Sequence, residues 1–222
     1  MLRWLSVVGV LLAVGCSAPG TAANGLPAGL STRTAGRDYR VYVPAGVAPS
    51  APLVVVLGSD DRWQRLADAQ RFVVAYAEGG DAAAADAVVT DVSANVSVDP
   101  RRVFAVGGTP AYAAVCATGT FAAIAVVAAP PPASCPAPRP TSVLALAAGP
   151  NDAAAARATE YWRAVDRCGP PTVDAAPPLL SVTADCPDGR AVELLAVDGV
   201  GAGRPVPVGR LWRFFADHPR LD

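Results

Sequence analysis

Lysine is absent from these 222 residues, so all 18 basic side chains are arginines, set against 19 carboxylates for a formal charge of −1. That balance removes the electrostatic case for a nucleic-acid partner, which needs a basic face. Histidine occurs once, at position 218, and no Cys-x-x-Cys pair is present, so the ligand spacings of zinc sites are missing and no metal is expected. The chain also lacks a P-loop and a Gly-x-Gly-x-x-Gly followed by an acid, so no cofactor is expected. No apolar run approaches the ~20 residues of a membrane span. Neither an internal repeat nor a second domain is visible. The missing lysine is a compositional bias and points to no activity.

What is present begins at the N-terminus. Arg3 precedes an apolar run from Leu5 to Val14, interrupted by Ser6 and Gly9. At about ten residues this is the length of a signal-peptide core and too short to span a bilayer. It ends in Ala13-Val14-Gly15-Cys16, which resembles a lipobox, the small-residue motif whose Cys accepts diacylglycerol. Residues 1–15 are therefore expected to be a lipoprotein signal peptide. Cys16 is expected to carry the lipid, with the membrane as its partner on the extracytoplasmic side. Residues 16–36, small, polar and rich in Gly and Pro, read as a flexible lipidated spacer, and 37–222 as the folded domain. Setting Cys16 aside leaves Cys116, Cys135, Cys168 and Cys186, an even number suited to disulfides in an oxidising compartment. Four cysteines allow three pairings, and sequence alone does not choose among them.

Along the domain, residues 37–44 alternate apolar and polar, as a half-buried strand does. Continuous apolar runs follow at 53–57, 72–76, 102–106, 121–128, 142–148, 180–183 and 192–197, the pattern of strands buried on both faces. Helical segments are expected over 62–70, 86–96, 153–167 and 209–217. Strands alternating with helices predict a three-layer α/β sandwich with a mainly parallel sheet and an antiparallel N-terminal edge strand.

In such sheets chemistry gathers at the C-terminal strand ends. The informative end is Val103-Phe104-Ala105-Val106-Gly107-Gly108-Thr109-Pro110-Ala111, a buried strand running through Gly-x-Thr-x-Ala into a helix. That is the position and shape of a nucleophile elbow, usually Gly-x-Ser-x-Gly. The adjacent acids Asp60-Asp61, at another strand end, are of a kind that is ordinarily solvated.

The chain resembles the secreted α/β-hydrolase esterases grouped as polyhydroxybutyrate depolymerases and feruloyl or acetylxylan esterases. The likeness runs through Arg37-Asp38-Tyr39-Arg40-Val41-Tyr42-Val43-Pro44, Pro52 to Leu57, and Val98-Asp99-Pro100-Arg101-Arg102-Val103-Phe104-Ala105. It continues through Phe121 to Ala125, Tyr161-Trp162-Arg163, Cys168-Gly169 and Leu211-Trp212-Arg213-Phe214-Phe215. It implies an α/β-hydrolase-like domain and the pairings Cys116–Cys135 and Cys168–Cys186. It also exposes what has changed. The family's nucleophilic Ser falls on Thr109, whose methyl crowds the turn. The residue that should donate an oxyanion N–H is Pro110, which has none. The His-Gly after the second strand falls on Gly58-Ser59. The triad acid falls on Asn151 or Asp152, and the general-base His on Ala202. His218, just before Pro219 at a helix end, reads as a surface or capping residue.

Three functions are consistent with this pattern. One is a catalytically inactive, lipid-anchored member of the esterase family, a pseudoenzyme whose degenerate cleft is left for a small-molecule or protein ligand. Another is an active carboxylic-ester hydrolase with relocated catalytic residues, Ser59 among them. The third is a structural or ligand-binding envelope lipoprotein.

Overall fold

The computed structural model describes residues 25–131, 135, 138–200 and 204–221. The signal peptide, Cys16 and Ala202 lie outside them.

The chain folds as a ten-stranded mixed sheet in the order β1-β2-β4-β3-β5-β6-β7-β10-β9-β8. The six inner strands β4 (Val73–Tyr76), β3 (Ala51–Val56), β5 (Val98–Gly107), β6 (Ala123–Val127), β7 (Ser142–Ala147) and β10 (Ala191–Val197) run parallel. They are the apolar runs of the sequence. Every residue of β3, β4 and β7 is buried, because helices cover both faces and leave no polar side for solvent.

On one face lie α1 (Arg62–Gln70) and α5 (Val208–Asp217). They close over an aromatic cluster in which Phe72 stacks on Trp212 with ring centres 4.0 Å apart, and Phe104 on Phe215 at 4.9 Å. Trp63 of α1 stacks on Phe215 as well. The opposite face carries α2 (Ala82–Asn95), α3 (Thr109–Ala117) and α4 (Ala153–Asp166), with Val88, Val92, Tyr112, Val115 and Trp162 buried beneath them. Asp81 starts α2 by accepting the Ala84 N–H at 2.9 Å, which satisfies one of the free donors of the first turn. Both disulfides implied by the resemblance are formed, Cys116–Cys135 and Cys168–Cys186.

Two expectations are corrected. Residues 29–36 were expected to belong to the spacer, but Gly29–Thr34 form β1, antiparallel to β2 (Asp38–Val43). Hence β2 is not the edge; it lies between β1 and β4, antiparallel to both. At the far side β9 (Leu179–Asp185) and β8 (Thr172–Ala176) add an antiparallel hairpin. Every residue of β8 is exposed, so no apolar periodicity marks it in the sequence.

Candidate active site

The strand order reverses at β3, with β4 on one side and β5 on the other. Such a switch point opens a crevice beyond the C-terminal strand ends, where α/β sheets hold their ligands. Thr109 stands there, one residue past Gly108 at the end of β5. Ser59 follows β3, and Asn151 and Asp152 follow β7. The topology thus gathers the positions that the sequence reading assigned to nucleophile, oxyanion loop and acid. The packing is close: a Cβ on Gly107 would come within 2.8 Å of the Leu57 Cβ, so a side chain there would push these two strand ends apart. Gly149, after β7, lies against the Asp198 carboxylate, which a Cβ would meet at 3.6 Å.

The chemistry at these positions is poor. Thr109 is exposed and is the first residue of α3. It is not among the described non-glycine residues with positive φ, so it starts an ordinary helix and does not take the strained turn in which an elbow presents its nucleophile. Pro110 occupies the first turn, where a helix tolerates it at no cost in hydrogen bonds, and it offers no N–H to an oxyanion. The next amide, Ala111, donates to the Gly108 carbonyl at 3.0 Å.

Asp152 has a structural role. One carboxylate oxygen accepts the N–H groups of Ala154 and Ala155 at 3.0 and 3.1 Å, capping α4, and the other accepts Ala148 N–H at 3.4 Å. An Asp followed by an alanine run is the usual sequence signal for such a cap, and the sequence reading passed over it. Asn151 is exposed. Tyr112, on α3, was also missed. Its hydroxyl is buried without a hydrogen-bond partner, and burial, reinforced by the nearby Asp152 charge, pushes its pKa far above the usual phenol value. It stays protonated, and its ring stacks on Trp162 at 6.4 Å.

His218 ends α5 as a cap residue, as expected. Its Nδ1 lies 2.6 Å from the Phe214 carbonyl oxygen and its ring packs on Phe214. Two residues on, the Arg220 N–H donates to the Arg101 carbonyl. Arg101 belongs to the first half of β5, so His218 is held toward the base of the sheet, at the other end of this strand from Thr109. Exposed Ser59 precedes Asp60, whose carboxylate grips Arg62 at 2.5 and 2.8 Å. Burial opposes ionisation of Asp60, but the Arg62 side-chain and backbone hydrogen bonds outweigh it and hold the carboxyl below its usual range. One grouping of potential metal ligands occurs among the described residues, Asp166 with Cys168 and Cys186. Its sulfurs are joined in a disulfide and so are not the thiolates that a metal requires.

No protein-family profile matches the chain. Over 107 residues it is 30% identical to a bifunctional acetylxylan esterase/xylanase from Neocallimastix patriciarum, an alignment covering 36% of this chain and 16% of that protein. The chain therefore matches a small part of that relative's length. Among solved structures, an acetyl xylan esterase from Aspergillus awamori superposes with a TM-score of 0.62 at 13% identity, over 85% of this chain and 99% of that one. A glucuronoyl esterase from Solibacter usitatus gives 0.53 at 12% identity, over 81% and 77%. The fold matches that of these solved structures, and the α/β fold expected from sequence is borne out.

Proposed function

We propose that this chain is a non-catalytic protein on an esterase scaffold, exported and anchored to the membrane through a lipid on Cys16, with the old catalytic cleft kept as a binding surface. One observation carries the loss of catalysis: the chain's single histidine is held at the base of the sheet, its Nδ1 at the Phe214 carbonyl. A Thr hydroxyl without a base keeps its proton at neutral pH. Pro110 withholds an oxyanion donor, a loss of about 10²–10³ in turnover in a well-studied protease. Such groups act as a unit, so restoring one alone recovers little. Asp152, at the position from which an acid would orient a base, has its oxygens committed to backbone N–H groups.

Export is supported by the lipobox-like Ala13-Val14-Gly15-Cys16 and by the two disulfides, which persist in oxidising compartments. No helix among the described residues is long and apolar enough to cross a membrane, so attachment falls to the lipid.

The test has two arms. Purified protein and its Thr109→Ala variant should both turn over p-nitrophenyl acetate at the rate of buffer alone. Turnover by the wild type that the variant loses would overturn the inactive reading. In cells fed labelled palmitate, the wild type should carry label in the membrane fraction, whereas Cys16→Ala should be unlabelled and released. An unlabelled wild type would refute the anchor.

A further inference from the structure

The crevice around Thr109 sits at the C-terminal ends of the parallel strands. A cavity of about 530 Å³ opens at their opposite ends, at the base of the sheet. Its walls come from four separate segments: residues 119–122 before β6, 139–141 before β7, 188–190 before β10, and the tail 219–221. The volume falls within the ~300–1,000 Å³ of small-molecule sites.

The charge in this cavity is one-sided. Among the described residues that line it are three arginines, Arg139, Arg190 and Arg220, and a single carboxylate, Asp188. Arg190 pairs with Asp188 at 3.1 Å, but the Asp188 side chain is 72% exposed, and an exposed pair contributes little and exchanges readily. The Nε of Arg190 is buried without a hydrogen bond and lies 3.9 Å from the buried Asp166 carboxyl. Arg220 donates to the Gly119 carbonyl at 2.5 Å, which holds its guanidinium against the same wall. Arg139 has no ion-pair partner among the described residues, and its guanidinium lies across Gly119. A Cβ on that glycine would fall 2.3 Å from the Arg139 Nη1. The rest of the lining is largely apolar, with Phe121, Pro140 and Leu221 the larger groups.

We propose that this basal cavity binds a small carboxylic acid with an apolar body, its carboxylate taken by Arg139 and Arg190 and its hydrocarbon part lying on Phe121 and Leu221. A guanidinium presents paired N–H donors whose spacing matches the two carboxylate oxygens. Arg139 is the free fork, and Arg190 exchanges Asp188 for the ligand. The apolar walls select against inorganic anions, and the cations against neutral amphiphiles. This site shares no residue with the cleft, so it stands or falls independently of the catalytic reading.

The test is titration of the full-length protein by calorimetry with octanoate, octan-1-ol and inorganic phosphate. Octanoate should bind at one site per chain, and the alcohol and phosphate at least tenfold more weakly, the margin expected when charge-assisted hydrogen bonds or apolar contacts are lost. Arg139→Gln should weaken octanoate by about tenfold or more. Gly119→Ala keeps every charge and adds a methyl where the Arg139 guanidinium rests; it should weaken octanoate comparably. Arg139 is exposed and Gly119 half-buried, and melting curves without ligand should match the wild type. Octanoate binding that both variants retain would overturn the assignment. So would wild-type protein that binds octan-1-ol or phosphate as tightly as octanoate, or that shows no octanoate binding at millimolar concentration.

Discussion

Replacing Asp166 by Asn should make the protein's stability respond to pH in a way that isolates one buried carboxyl. Asp166 ends α4 with no exposed surface. It accepts the Thr141 N–H at 3.0 Å, its other oxygen has no partner, and Arg190 is 3.9 Å away. Burial raises its pKa from 3.8 to about 7, against the opposing pull of the Thr141 N–H and the Arg190 charge. The folded protein therefore holds this proton more tightly than the unfolded chain does. Its contribution is complete below the unfolded pKa and is lost as pH rises through the folded one. At about 1.4 kcal/mol per pH unit, the loss between pH 4 and pH 9 amounts to about 4 kcal/mol. Asn carries no proton to lose. Its oxygen can accept the same Thr141 N–H, but its amide nitrogen replaces an oxygen with no partner, at a cost of about 1–3 kcal/mol at every pH. Asp166→Asn should thus be the less stable protein at pH 4 and the more stable one at pH 9. The difference between the two should swing by about 4 kcal/mol whatever the size of the constant penalty. Urea unfolding of both proteins at several pH values measures the swing directly, because the other carboxylates titrate alike in each. A difference that stays constant to within about 1 kcal/mol, or that moves the other way, would refute an Asp166 that is neutral when folded.

Two further outcomes follow from the packing. Phe215→Ala removes a fully buried ring that stacks on Phe104 and Trp63 and should cost about 3–5 kcal/mol in chemical denaturation; a cost under about 1 kcal/mol would contradict the aromatic cluster as the fastening of α5. Replacing Cys168 and Cys186 together by Ala opens a bridge between residues 18 apart in sequence and should cost about 3 kcal/mol by the loop-closure relation, read from the shift in urea midpoint.

The parts of the fold that the sequence reveals are those where burial writes a pattern. The strands β3, β4 and β6, the second half of β5, and most of β7 and β10 are apolar because both faces are covered, and helices α1 and α4 begin at the residues expected. The two strands that went unread, β1 and β8, border the sheet and bury little. They are held by backbone ladders that any residue can form, so side-chain periodicity carries no record of them. The same division holds at the sites. Thr109 and Pro110 could be placed because they follow a buried strand in unbroken sequence. The capping role of Asp152 had a local signal that a catalytic expectation obscured. Arg139, Arg190 and Arg220 had none, since only the assembled tertiary structure brings their segments to one cavity.

The strand Gly29–Thr34 sets where the chain joins the body. Gly29 pairs with Val43 and Thr34 with Asp38, so the polypeptide arrives at the base and runs toward the cleft end. Gly25 already lies against the carbonyl of Asn95, where α2 ends at the base. Because the chain is held against the body from Gly25, with Leu26 buried in the core, a tether from residue 16 would reach at most about 32 Å, well short of what a leash running to residue 37 would allow. With the proposed lipid on Cys16, such an attachment would favour one posture on the bilayer: the Thr109 crevice would point outward to the surrounding medium, and the arginine-lined cavity would lie on the side nearer the lipid.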